Sequence, residues 1–122
     1  MKDLKECVRE LNRLIIAGKT IEAMEVFYHN DVTMQENNDT VREGKQVCID
    51  HEKKVLERTK EIKSKLISQA IDEVNSVVLS EWEFVFVNKE NHTFIIQEVA
   101  VQRWKDDHIY QETFYHNGIR QI

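Results

Sequence analysis

The last third of the chain alternates apolar and polar positions with a period of two. Three segments do so in succession, 77–87, 93–104 and 109–115, each dense in β-branched and aromatic residues and bounded by Asn, Asp, Lys or Gly. They predict three consecutive strands. The first third follows the other period. Leu4, Cys7, Val8, Leu11, Leu14 and Ile15 recur at helical spacing, and Gly18 stands where a C-terminal stop belongs. Thr20 is placed to cap a second helix carrying Ile21, Met24, Phe27 and Tyr28, with Glu22 in its first turn. Asn30-Asp31 ends this pair, 32–36 predicts a short strand, and 37–40 a turn. A third helix is expected from Gly44 to about Lys60, with Val47, Cys48, His51, Val55 and Leu56 on its inner side.

The segment 61–74 is ambiguous. Ile62, Leu66, Ile67, Ala70, Ile71 and Val74 fit a helical spacing, and the residues between them are good helix formers. Local propensity alone would extend the third helix through Val74. Such a helix would exceed the usual length without caps, and it would leave the strands beyond it one partner short.

At 122 residues the chain predicts one domain, able to bury roughly two-thirds of its unfolded surface. A net charge of -5 disfavours nucleic acid and anionic membranes, because both need clustered Lys and Arg. The lysines between Lys53 and Lys65 are interleaved with glutamates, the pattern of a solvated mixed face. The opening Met1-Lys-Asp-Leu-Lys-Glu is charged from the start, and no apolar run approaches the roughly 20 residues of a membrane span, so a cytoplasmic protein is expected. Cys7 and Cys48 fall on predicted helices without CxxC spacing and are expected to be small buried apolar residues.

The chemistry lies in the carboxylates of the strands. Glu81 and Glu83 share one face, opposite Trp82 and Phe84, so an inward Trp82 sends both glutamates outward. Glu98 shares its face with Ala100, Gln102 and Trp104, a mixed polar and aromatic row suited to lining a pocket. Glu112 shares its face with Phe114 and His116. Whether these two rows face the same side depends on the hairpin register, and a slip of one residue reverses it. Glu98 and Glu112 are the candidate catalytic groups: one interior carboxylate with a raised pKa would act as a general base beside a carbonyl. The alternative is a structural glutamate bonded to Tyr, Trp, Arg or backbone donors. Tyr28 offers a phenol donor, while His51 and His116 are the histidines placed to reach an interior. No HxH or HExxH spacing marks a metal, no nucleophile elbow is present, and three scattered glycines build no phosphate loop. No metal and no cofactor is expected.

Several segments in order resemble the SnoaL-like branch of the nuclear transport factor 2-like superfamily. They are a helix pair, then Tyr28-His-Asn-Asp-Val-Thr-Met-Gln-Glu-Asn37, Arg42-Glu-Gly-Lys45, Ser80-Glu-Trp-Glu-Phe84, Glu98-Val-Ala-Val-Gln-Arg-Trp104 and Ile109-Tyr-Gln-Glu-Thr-Phe-Tyr-His116. The likeness covers nearly the whole chain. Trp104-Lys-Asp-Asp-His-Ile109 is similar to the family's Trp-x-Asp-Gly-x-Ile turn, departing from it at Asp107, where left-handed strain or another loop type is expected. The resemblance implies an α+β cone in which N-terminal helices pack on a strongly curved antiparallel sheet, with residues 63–72 as its first long strand. It implies a pocket at the open end, Glu36 at its mouth, and a homodimer formed through the sheet's other face.

The function expected on this basis is binding of a small, largely apolar organic ligand, through Tyr28, Glu36, His51, Trp82, Glu98, Gln102, Glu112 and His116. Any catalysis would be cofactor-free acid/base chemistry of the isomerase, cyclase, dehydratase or hydrolase type. The rival expectation is a non-catalytic dimerising or protein-binding module of the same fold. A mostly helical protein, with 44–74 as one helix, is the third.

Overall fold

A computed structural model describes residues 3–122. Helix α1 (Leu4–Ile16) opens on Asp3, whose side chain accepts from the Glu6 N–H at 2.8 Å. It closes in a paired motif: Lys19 N–H donates to the Leu14 carbonyl and Gly18 N–H to that of Ile15, with Gly18 at φ +78°. That left-handed step is cheap only for a residue without a side chain. Helix α2 (Thr20–Phe27) follows at once. Its cap is Lys19 rather than Thr20, and no side chain bonds the free N–H groups, because the preceding motif leaves no residue to spare between the helices.

The chain passes directly from α2 into β1 (Tyr28–Glu36), a longer strand than the alternation of 32–36 alone suggests, with Tyr28 as the first residue of the strand. Short β2 (Arg42–Glu43) leads into α3 (Lys45–Glu57), which stops before Lys60. Four strands complete the main sheet and a short one closes the chain: β3 (Thr59–Asp72), β4 (Val77–Asn88), β5 (Thr93–Lys105), β6 (His108–His116) and β7 (Arg120–Gln121). The order across the curved sheet is β2-β1-β6-β5-β4-β3, with β7 beside β5. Every pairing is antiparallel except β1 with β6, which is parallel because α2 delivers the chain to that edge from the opposite end.

Two irregularities shape the inner face. In β3 the register slips between Leu66 and Ser68, so Leu66 pairs with Trp82 while Ser68 pairs with Glu81, and Ile67 is the extra residue. In the β5–β6 hairpin, Arg103 pairs with Gln111 but Trp104 with Ile109, leaving Tyr110 as the extra residue. A bulge of this kind reverses the phase of alternation on one side of it. Ile109 and Glu112 therefore both point inward. The hairpin turns on Asp106 and Asp107, at φ +51° and +66°, both left-handed as a two-residue turn of this hand requires.

The core lies between the helices and the nearer half of the sheet: Cys7, Val8, Leu11 and Leu14 of α1, Ala23, Met24 and Phe27 of α2, Val32 and Met34 of β1, Cys48 and Ile49 of α3, with Val78, Trp104 and Ile109. Phe27 meets Trp104 edge to face, ring centroids 5.9 Å apart. Both cysteines are buried free thiols. Farther along the inner face, Trp82, Ile96 and Ala100 are buried without belonging to that cluster. Trp82 stacks on Phe84, and Phe86 on Phe94, each pair at 5.5 Å. Among the described residues no helix is long and apolar enough to cross a membrane.

Candidate functional site

The polar row of β5 and that of β6 face the same side. Gln102 pairs with Glu112 and Glu98 with His116, and Trp82 of β4 lies beside Glu98. The register left open by the sequence is thus settled by the bulge at Tyr110. Glu81 is outward and exposed, as alternation with an inward Trp82 requires.

At the deep end, Glu112 is 3% exposed. The Tyr28 hydroxyl donates to its Oε1, and Gln102 Nε2 donates to its Oε2 at 2.7 Å. Trp104 Nε1 donates to Gln102 Oε1 at 3.3 Å. An indole N–H can only donate, so it fixes the amide with oxygen toward Trp104 and NH2 toward Glu112. Glu112 Oε2 is therefore an acceptor. Burial raises the Glu112 pKa, and the bonds from Tyr28 and Gln102 partly oppose that rise. Burial, then the Glu112 charge, lifts the Tyr28 phenol well above its ordinary value.

Nearer the rim, Glu98 is partly buried, and its pKa stands at about 8, raised first by desolvation and then by Glu112, Glu36 and Glu52. At neutral pH it holds its proton. Glu52 is raised too, by burial, with Arg42 opposing and Glu36 adding. Glu36 ends β1 with its side chain 37% exposed, 3.8 Å from Arg42 Nη1 and 3.7 Å from His116 Nε2. Four carboxylates thus share one interior with one guanidinium. Burial raises three of them, Glu52, Glu98 and Glu112.

Of the residues singled out from the sequence, Tyr28, Glu36, Trp82, Glu98, Gln102, Glu112 and His116 are brought together. His51 is not. The inner stripe of α3 runs through Cys48, Glu52 and Val55, and His51 lies about a quarter turn off it. The expectation that His51 and Val47 face inward is corrected: His51 is exposed, and Val47 is 53% exposed. Sequence reasoning missed Glu52 and Arg42. Glu52 was discoverable as the residue four after buried Cys48, on the same helical stripe. Arg42 pairs in register with buried Met34, a relation that only the fold reveals.

A recess of about 470 Å³ crosses the same row, touching Trp82, Glu98 and His116 together with Glu81, Val99 and Tyr115. Trp82 is 3% exposed and Tyr115 54%, and alternation puts Glu81, Val99 and Tyr115 on the sheet's outer face, so the recess is not confined to the cone interior. Among the described residues, no group of three or more His, Cys, Asp or Glu is arranged to hold a metal ion.

No protein-family model matches the sequence, and no curated protein is significantly similar to it. Solved structures match over nearly the whole chain. A nuclear transport factor 2-like protein of unknown function from Burkholderia pseudomallei has a TM-score of 0.80 at 10% identity, covering 96% of this chain and 92% of that one. A candidate SnoaL-like polyketide cyclase from Mesorhizobium loti gives 0.73 at 16% identity, over 93% and 99%. The epoxide hydrolase/cyclase-like enzyme SalBIII, of pyran ring formation in the polyether salinomycin, gives 0.80 at 17% identity, over 98% and 95%. The chain has the α+β nuclear transport factor 2-like fold, in the form shared with SnoaL-like proteins. At these identities the likeness is one of fold.

Proposed function

We propose that the cone interior binds a small, largely apolar organic molecule and performs cofactor-free acid/base chemistry on it. The observation that carries this reading is the pairing of two unlike carboxyl groups on one inner face. Glu98, near the rim, holds a proton at neutral pH. Glu112, deeper, is aligned by Tyr28 and Gln102. Burial raises both carboxyls, but only Glu112 is held by two side-chain donors, and that difference in bonding is what lets the pair divide the acid and base roles. Glu98 is the acid, delivering a proton to a ligand oxygen. Glu112 is the base, with Tyr28 and Gln102 steadying the charge. Trp82 and the stacked phenylalanines form the apolar wall, and the ligand enters past Glu36. The neighbours lend support, since proteins of the same fold include a candidate polyketide cyclase and an epoxide hydrolase/cyclase-like enzyme of pyran ring formation.

The test is deuterium exchange at the carbons beside the carbonyl of cyclohexanone in D2O, followed by NMR. The expected result is exchange faster than buffer with the wild type, lost in Glu98→Gln and in Glu112→Gln. A wild-type rate equal to buffer across neutral ketones would refute the acid/base assignment.

The outer face favours a second, compatible role in self-association. Leu79, Val99 and Tyr115 are 44%, 38% and 54% exposed on adjacent strands, and Val99 pairs with Tyr115. A face of this kind suits a homodimer, which leaves the interior free.

A further inference from the structure

Two N–H donors at the rim lack partners. Arg42 Nε and His116 Nε2 are both buried and have no hydrogen-bond partner among the described residues. The tautomer of His116 follows from its other nitrogen. The Gly118 backbone N–H donates to His116 Nδ1 at 2.9 Å, so Nδ1 is the acceptor and the neutral ring carries its hydrogen on Nε2. The Glu36 carboxylate stands 3.7 Å from His116 Nε2 and 3.8 Å from Nη1 of the same Arg42 guanidinium, too far to hydrogen-bond either atom. A buried donor left unmade is costly, so this pair is a strong pull on any acceptor that reaches it.

We propose that Arg42 Nε and His116 Nε2 form an anchor for an uncharged oxygen of the ligand (a carbonyl, epoxide or hydroxyl), making the cone selective for neutral oxygenated molecules. This rests on the cone interior being a ligand site. The selection against charge follows from the neighbours. Glu36 stands within 4 Å of His116 Nε2 and of the Arg42 guanidinium at Nη1, and repels a carboxylate or phosphate. Arg42 repels an ammonium at the same point. A neutral oxygen uses both donors and meets neither penalty. Glu98 is the strand partner of His116, on the same face of the sheet, and Glu36 is among the charges that act on it. The anchor and the acid then act on one oxygen, in the manner of donors aimed at developing negative charge.

The experiment uses four probes on one ring skeleton: cyclohexanone, cyclohexanol, cyclohexylammonium and cyclohexanecarboxylate. Each is titrated into 15N-labelled protein while the Arg42 Nε–H, His116 Nε2–H and Trp82 indole signals are followed. The expected result is saturable binding of the ketone and the alcohol, with both Nε–H signals moving downfield, and little binding of the two ions. Arg42→Lys keeps the charge but removes the donor, and should weaken the ketone roughly tenfold. Binding of cyclohexanecarboxylate or cyclohexylammonium as tight as that of the ketone overturns the selectivity. Ketone binding that moves Trp82 but leaves both Nε–H signals in place overturns the anchor alone, as does an unchanged affinity in Arg42→Lys. Should that variant not fold, the wild-type spectrum decides. If no probe moves Trp82, the interior is not a ligand site, and the anchor falls with it.

Discussion

Replacing Glu98 by Gln should remove a pH dependence from the protein's stability. The Glu98 carboxyl has an ordinary pKa of 4.5 when the chain is unfolded and about 8 when folded. Between those values the folded state binds one more proton than the unfolded state. Stability falls as pH rises through that window, at up to about 1.4 kcal/mol per pH unit, because 2.303RT is lost for each excess proton. The whole span is worth about 5 kcal/mol, a large share of the 5–15 kcal/mol that holds a typical domain folded. The contribution is fully present below pH 4.5 and gone above about 8. Glutamine mimics the protonated acid, so Glu98→Gln should match the wild type near pH 5 and exceed it by several kcal/mol near pH 9. Glu52 and Glu112, also raised, leave a residual slope in both proteins. Urea unfolding of both proteins from pH 5 to pH 9 measures this directly. Parallel curves would refute the reasoning, since they would mean that Glu98 ionises in the folded state as readily as in water.

Other consequences are smaller in scope. Tyr28→Phe removes one of the two donors on buried Glu112 and should cost about 1–3 kcal/mol in urea unfolding, while raising the Glu112 pKa further. Gln102→Leu strands both Glu112 and the Trp104 indole, so its cost should exceed that of Tyr28→Phe under the same assay. Asp107→Gly relieves a left-handed residue in the β5–β6 turn and should add about 0.5–1 kcal/mol to thermal or urea stability. On the outer face, Tyr115→Lys should turn the proposed dimer into a monomer in light scattering without altering the pH-dependence tied to Glu98.

How much of this was legible in the sequence varies by element. Helix α1 and strands β4 and β5 were plain, because their apolar periods are unbroken and one face is buried. Strand β3 was not, and the bulge at Ile67 explains why. Its inward residues are Ile62, Ser64 and Leu66 on one side and Gln69 and Ile71 on the other, so the period of two breaks midway. The resulting apolar spacing imitates a helix, and only the resemblance to a known fold pointed to a strand. The bulge at Tyr110 had the same effect on the site. It decides that Glu98 and Glu112 face the same way, and no local signal announces it. Cys48 was read as inward correctly, yet the stripe was drawn through His51 rather than Glu52, since a carboxylate is an unexpected occupant of a buried face. Arg42 comes to the site through pairing between β1 and β2, a contact of the fold rather than of the sequence.

Trp82 and Trp104 are the only tryptophans in the chain, and both line the interior. Incorporating 5-fluorotryptophan therefore gives two 19F signals that report on the cone itself. On titration with cyclohexanone, the Trp82 signal should move saturably, and more than that of Trp104, because Trp82 sits beside Glu98 while Trp104 is wedged against Phe27. Two signals that stay fixed up to the solubility limit of the ketone would contradict the claim that the cone holds a ligand.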